Sequence, residues 1–70
     1  MDTLKLLIAD DNEEFRQALA DALQELYYIR TCRTGREALA LLRSFAPDVL
    51  VLNLMLPEMD GISLLENAVK

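Results

Sequence analysis

The chain has few of the residues that cross-link or loosen a fold. Its 70 residues include one cysteine, two glycines and two prolines. One cysteine excludes an internal disulfide bond, and the low glycine and proline content, beside 53% hydrophobic residues, excludes a linker or a disordered segment. A folded chain this short usually needs a disulfide, a metal or a partner for stability. We therefore expect one small domain that a partner or further chain completes.

The sequence also lacks long apolar runs and a basic surface. No apolar run approaches the roughly 20 residues that span a bilayer. Twelve acidic residues outnumber seven scattered basic ones, for a net charge of -5, which argues against direct binding of nucleic acid or anionic lipid. We expect a cytoplasmic protein with no membrane segment. Cys32 is assigned no role, because an isolated cysteine in a strand-like run is usually packed and inert.

Hydrophobic patterning predicts three units of strand and helix. Strands are predicted at about 4–9, 28–32 and 49–53, the second at a sheet edge because of Arg30. Apolar residues at helical spacing predict helices at about 12–26, 35–45 and 61–70. Asp11 with Glu14, and Thr34 with Glu37, predict the caps that begin the first two helices. The third helix has no stop signal before the last residue, so the chain has the pattern of a truncated one.

This alternation predicts an α/β fold with a parallel sheet and right-handed crossovers. In such sheets the ligand site lies beyond the carboxyl ends of the strands. Asp10 and Asp11 follow strand 1 and Asn53 ends strand 3, so two carboxylates and an amide oxygen are candidates for holding a hard cation such as Mg²⁺. The residues alone leave an alternative open, in which Asp11 caps a helix and Asp10 is a solvated loop residue.

Three segments carry a more specific signal. They are residues 6–12 (LLIADDN), 47–53 (PDVLVLN) and 56–61 (LPEMDG). In this order and spacing they resemble the signatures of the response-regulator receiver domain of two-component signalling, over essentially the whole chain. The resemblance implies a flavodoxin-like open sheet, of which residues 1–70 are the N-terminal portion, with strand order 2-1-3.

The resemblance also implies roles for individual residues. Asp10 and Asp11 match the acidic pair that holds Mg²⁺, and Met55 matches the residue whose backbone carbonyl completes the protein ligands. Asn53 stands where the family has the aspartate that accepts a phosphoryl group from a histidine kinase or phosphotransfer protein. An amide oxygen is a poor nucleophile and the site has lost a negative charge, so we expect no phosphotransfer and only weak Mg²⁺ binding.

No other acid is expected to replace Asn53. Asp48 lies about 16 Å away at the opposite end of strand 3, and Asp60 before Gly61 is typical of a turn or a helix cap. The hydroxyl residue and the lysine that the family places after its fourth and fifth strands belong to segments that the 70 residues do not include.

Enzyme classes with similar acidic motifs fit poorly. A P-loop ATPase needs a glycine-rich phosphate loop, which is missing. A haloacid-type phosphatase needs an aspartate where Asn12 stands, and an EF-hand loop needs a central glycine. We therefore expect no enzymatic activity of the chain itself. The alternative function is a phosphorylation-independent pseudo-receiver that acts in protein interaction, with a homodimer formed through the apolar edge of strand 3.

Overall fold

Strands and helices alternate along the chain, as the sequence predicts. The computed structural model describes residues 3–57 and 61–68. The elements in chain order are β1 (Leu4–Ala9), α1 (Glu13–Leu23), β2 (Tyr27–Cys32), α2 (Gly35–Ser44), β3 (Val49–Leu52) and α3 (Gly61–Ala68). The first helix ends earlier than its apolar pattern indicates, because a turn over 24–26 leads directly into β2. The predicted end of the third helix, 69–70, lies outside the described residues.

The three strands form one parallel sheet in the order β2-β1-β3. Leu6 of the central strand lies opposite Ile29 of β2 and Val49 of β3. The predicted strand order and the parallel α/β fold are confirmed, and Arg30 lies on an edge strand as expected.

The central strand is buried on both faces. Leu6, Leu7, Ile8 and Ala9 are each at most 1% exposed, because helices cover both sides of β1. Right-handed crossovers in opposite directions along the sheet place α1 and α2 on opposite faces, and α1 contacts β1 and β2. Alternate residues of a strand face opposite sides, so a continuous apolar run is what this position requires.

The main hydrophobic cluster lies between the sheet and the helices α2 and α3. Its buried members are Leu7, Ala9, Cys32, Ala38, Leu56 and Leu64. Partly buried residues pack around them, namely Leu39, Leu41, Leu42, Phe45, Leu50 and Leu52. By contrast, no residue of α1 is itself buried, although Leu6 and Ile8 on the other face of β1 are at most 1% exposed.

The first helix begins at a different residue from the one predicted. Its N-cap is Asn12, whose Oδ1 accepts a hydrogen bond from the Phe15 N–H at 3.0 Å. The prediction of Asp11 as the cap was wrong, because Asp10 accepts from the Asn12 N–H and turns the chain one residue later. At α2 the predicted cap is present: Thr34 Oγ1 accepts from the Glu37 N–H at 3.1 Å.

The amino-terminal end of β3 is fixed to β1 by Asp48. Its N–H donates to the Lys5 carbonyl and its Oδ2 accepts from the Lys5 N–H, both at 2.8 Å. Above this pair Lys5 also lies over the Phe45 ring, which meets Tyr28 edge to face with ring centroids 5.8 Å apart. Asp48 is therefore held at the end of the sheet opposite Asn53.

No helix in the part of the chain described is long and apolar enough to cross a membrane.

The unequal burial of two leucines on one face of β1 gives a test of this packing. Leu6 is 1% exposed and Leu4 is 50% exposed. We expect Leu6→Ala to lower the free energy of unfolding by about 2–5 kcal/mol, since it leaves a cavity, and Leu4→Ala to cost less than about 1 kcal/mol. Urea unfolding followed by circular dichroism measures both. Equal losses in the two variants would contradict the described burial.

Candidate functional site

The ladder of the sheet continues past the ends of the strands and brings Asp10 and Asn53 together. The Asp10 N–H donates to the Cys32 carbonyl at 3.1 Å, and the Asn53 N–H donates to the Ala9 carbonyl at 2.9 Å. These bonds fix both backbones at the carboxyl edge of the sheet. Asp10 and Asn53 are partly buried and Asp11 is exposed, so the three side chains meet at the protein surface.

The Asn53 side chain is held by hydrogen bonds at both of its polar atoms. Its Oδ1 accepts from the Met55 N–H at 2.9 Å. Its Nδ2 donates to Asp11 Oδ1 at 3.3 Å and lies 3.5 Å from Asp10 Oδ1, a long contact. The amide therefore bridges the acidic pair on β1 and the loop that follows β3.

Neighbouring groups hold Asp10 in place. Its Oδ1 accepts from the Asn12 N–H at 2.9 Å, and its backbone carbonyl accepts from Arg16 Nη1 at 2.7 Å. Arg16 is partly buried at α1 and brings a positive charge close to the acidic pair. Sequence reasoning assigned neither Asn12 nor Arg16 a role at the site. Asn12 ends the first motif, residues 6–12, which was a signal, whereas Arg16 has the character of an ordinary polar residue on a helix surface.

Two other predicted residues, Met55 and Asp60, have no described contact with Asp10 or Asp11. The Met55 side chain is 80% exposed, and the contact described for its backbone is the N–H donated to Asn53. Asp60 lies outside the described residues. Among residues 3–57 and 61–68, no three aspartate, glutamate, cysteine or histidine side chains converge as a metal site. A cation here would rely on Asp10, Asp11 and neutral oxygen atoms.

Exposed apolar residues occur in the chain that follows Asn53. Leu54 and Met55 follow Asn53 directly and are 48% and 80% exposed, and Ile62 in the first turn of α3 is 61% exposed. Single exposed apolar residues are common on protein surfaces. Here Leu54 and Met55 are adjacent to each other and to the site residue, and neighbouring exposed apolar residues are typical of surfaces that contact other proteins.

Cys32 lies beneath the edge and packs in the core. It is 5% exposed, and burial raises the pKa of its thiol from 9.0 to about 11, with a further upward contribution from Glu37 and a downward one from Arg16. A thiol with this pKa remains protonated at neutral pH, which makes it a weak nucleophile and a poor metal ligand. The geometry supports the prediction that Cys32 has a packing role.

Comparisons with known proteins agree with the fold and the motifs. The family model for the response regulator receiver domain matches residues 6–70. The chain is 44% identical over 64 residues to protein-glutamate methylesterase/protein-glutamine glutaminase 2 of Rhodopseudomonas palustris (strain BisB18). It is 37% identical, over an alignment of 73 residues, to protein-glutamate methylesterase/protein-glutamine glutaminase of Geobacillus kaustophilus (strain HTA426). These matches cover 89% and 100% of the chain but only 18% and 21% of the relatives.

Solved structures show the same fold. The signal receiver domain of a putative Luxo repressor protein from Vibrio parahaemolyticus superposes with a TM-score of 0.86 at 24% identity. The N-terminal domain of an uncharacterized protein from Wolinella succinogenes superposes with a TM-score of 0.87 at 26% identity. Each match covers 93% of this chain, and the chain spans about half of each solved structure, 51% and 54% respectively.

The raised pKa of Cys32 gives a test by chemical modification. At pH 8 we expect iodoacetamide to alkylate the folded chain about 100-fold more slowly than the chain in urea, since two pH units separate a pKa of about 11 from 9.0. The raised pKa contributes stability that is present below the pKa of the unfolded thiol and is lost as the pH rises through about 11. Mass spectrometry gives the rates, and equal rates in both states would contradict a packed thiol.

Proposed function

The chain belongs to the response regulator receiver domain family, and we propose that it is a receiver module that does not accept a phosphoryl group. The observation that carries the proposal is the position of Asn53, at the end of β3 and within hydrogen-bonding distance of the acidic pair that follows β1. By the resemblance of the motifs, this is the position of the acceptor aspartate.

The chemistry of the side chain at this position supports a loss of phosphotransfer. A carboxylate attacks phosphorus as a charged oxygen nucleophile, whereas the lone pairs of an amide oxygen are delocalised into the C–N bond. Asn53 Oδ1 is also engaged with the Met55 N–H, which reduces its nucleophilicity further. Asp48 offers no substitute, because its carboxylate is bound to Lys5 at the opposite end of the sheet.

Receiver domains interact with histidine kinases or phosphotransfer proteins, and we propose that this chain binds such a partner without being phosphorylated. The exposed apolar residues Leu54 and Met55, which follow Asn53 directly, support a contact surface of this kind. We further propose a cytoplasmic location, no nucleic acid binding by this segment and no enzymatic activity of the segment itself. The activities in the relatives' names belong to proteins of which the chain spans 18% and 21%.

We propose that Mg²⁺ binds weakly, at Asp10 and Asp11 with the backbone carbonyl of Met55. When bound to receiver domains, the ion neutralises charge around the acceptor. Two carboxylates suit a hard cation that keeps several waters. The missing third carboxylate weakens the attraction, and the Asn53 amide directs N–H groups, which are not ligands, toward the two acids.

The second candidate function is a pseudo-receiver that dimerises through β3. In the described part of the chain, β3 pairs with β1 along one edge only. The bond from the Asn53 N–H to Ala9 and the alternation of a parallel ladder direct the backbone groups of Leu50 and Leu52 to the other edge. Val49 on the sheet face is 37% exposed. An apolar edge of this kind favours pairing with a second copy about a two-fold axis.

The loss of phosphotransfer is tested by mass spectrometry. After incubation with acetyl phosphate or a phosphorylated histidine kinase, and with Mg²⁺ present, we expect no adduct of about 80 Da on the native chain. The matched variant Asn53→Asp restores the carboxylate, so any labelling should be confined to it. A stable adduct on the native chain would overturn the proposal that it does not accept a phosphoryl group.

The dimer is tested by sedimentation at several micromolar concentrations. We expect native chains to associate and Val51→Lys to weaken association about tenfold or more, because the charge lies in the middle of the proposed contact. Thr31→Lys is the control, since it adds the same charge to the exposed edge strand on the opposite side of the sheet. A well-folded monomer at all concentrations, or equal effects of the two lysines, would exclude a β3 dimer.

A further inference from the structure

The Asn53 amide occupies the space in which two acidic side chains approach each other. Its Nδ2 lies 3.3 Å from Asp11 Oδ1 and 3.5 Å from Asp10 Oδ1. Two carboxylates at such a distance from one atom repel each other unless a positive group lies between them. Here the N–H bonds of the amide, which carry the positive end of its dipole, lie between the two carboxylates, while the charge of Arg16 lies beside the backbone carbonyl of Asp10.

The orientation of the amide follows from its partners. A rotation of 180° would direct Oδ1 at two carboxylate oxygens and place the NH₂ group against the Met55 N–H. The first change creates repulsion between acceptors and the second places donor against donor, whereas the present orientation satisfies all of these groups. The backbone on each side is fixed by ladder hydrogen bonds, so the side chain has little freedom to retreat.

We propose that the Asn53 amide acts as a built-in substitute for the divalent cation, which holds Asp10 and Asp11 in a metal-free arrangement and competes with metal for them. This inference rests on the proposed function in that Asn53 stands at the acceptor position. It goes further, because it assigns the amide a structural task of its own. Asn53 is a positioning residue that holds the side chains of Asp10 and Asp11 in place without a bound metal ion.

Three descriptions of Asn53 make different predictions for its removal. If charge alone determines Mg²⁺ affinity, Asn53→Ala leaves the affinity unchanged, since both chains present two carboxylates. If the amide oxygen is a ligand, Asn53→Ala weakens Mg²⁺ binding. If the amide competes with the ion, Asn53→Ala strengthens binding, because an entering cation no longer has to displace two N–H donors.

The experiment is an NMR titration of each uniformly ¹⁵N-labelled chain with MgCl₂, at constant ionic strength adjusted with NaCl. The dissociation constant is read from the backbone amide signals of Asp10 and Asp11. We expect Asn53→Ala to bind Mg²⁺ about three- to tenfold more tightly than the native chain, the effect of one to two displaced hydrogen bonds. Asn53→Asp should bind more tightly still, and Asp11→Ala should abolish the response. An equal or weaker affinity of Asn53→Ala overturns the proposal.

A second measurement needs no variant at position 53. In EDTA, the side-chain NH₂ protons of Asn53 should exchange with water more slowly than those of Asn12, an exposed asparagine whose described side-chain bond is made through Oδ1. Asp11→Ala should remove this protection. Exchange of Asn53 as fast as that of Asn12 in the native chain would overturn the proposal even if the alanine variant at 53 does not fold.

These outcomes are separable from those for phosphotransfer. The titration and the exchange rates are measured on chains that have met no phosphodonor, so they report the amide alone. A phosphoryl adduct on the native chain would remove the proposed function and leave the affinities to be judged separately. Unchanged affinity in Asn53→Ala would remove the cation substitute and leave the lack of a nucleophile intact.

Discussion

The whole structure depends on the burial of one short strand. β1 is paired with a strand on each edge and covered by helices on each face, so its residues from Leu6 to Ala9 have lost nearly all contact with water. The buried part of a strand in this position must be apolar, and here it runs from Leu6 to Ala9 and ends where Asp10 follows. The apolar run therefore determines where the acidic pair leaves the sheet, and the parallel direction of β3 brings Asn53 to the same edge.

Much of this follows from the sequence, because the signals are strong where burial is strong. The run that ends at Ala9 predicts β1 without error in its bounds, and the spacing of three motifs led to the correct strand order by family resemblance. The cap of α1 was predicted one residue early, since Asp11 and Asn12 are both good caps and only the bond from Asn12 N–H to Asp10 decides between them. Local hydrogen bonds of this kind leave no periodic pattern.

At the site, too, the sequence predicted the positions of the polar residues but not the hydrogen bonds that orient them. Its three polar side chains were predicted from their positions at strand ends, and the structure brings Asp10, Asp11 and Asn53 within hydrogen-bonding reach. The direction of the amide was beyond sequence reasoning, which treated Asn53 mainly as a missing charge and a candidate oxygen ligand. The neutral side chain contributes two donors where the acidic one would contribute a charge. On the proposal that Asn53 stands at the acceptor position, the amide donors satisfy the two acids internally, where an aspartate would add to the attraction for an external cation.

The two hydrogen bonds between Asp48 and Lys5 at one end of the sheet have a consequence for the site at the other end. In a parallel pair, a slip of one residue would move β3 by about 3.3 Å and turn every side chain to the opposite face. Leu50 and Leu52 would then leave the hydrophobic cluster between the sheet and α2, and Asn53 would lose its contacts with Asp10 and Asp11. The hydrogen bonds of Asp48 oppose such a slip, because its backbone N–H and its carboxylate both bond to Lys5 in one register only. The hydrogen bonds of Asp48 at one end of the sheet thus fix the register of β3 against β1. Through that register they determine which side chain of β3 reaches Asp10 and Asp11 at the opposite end.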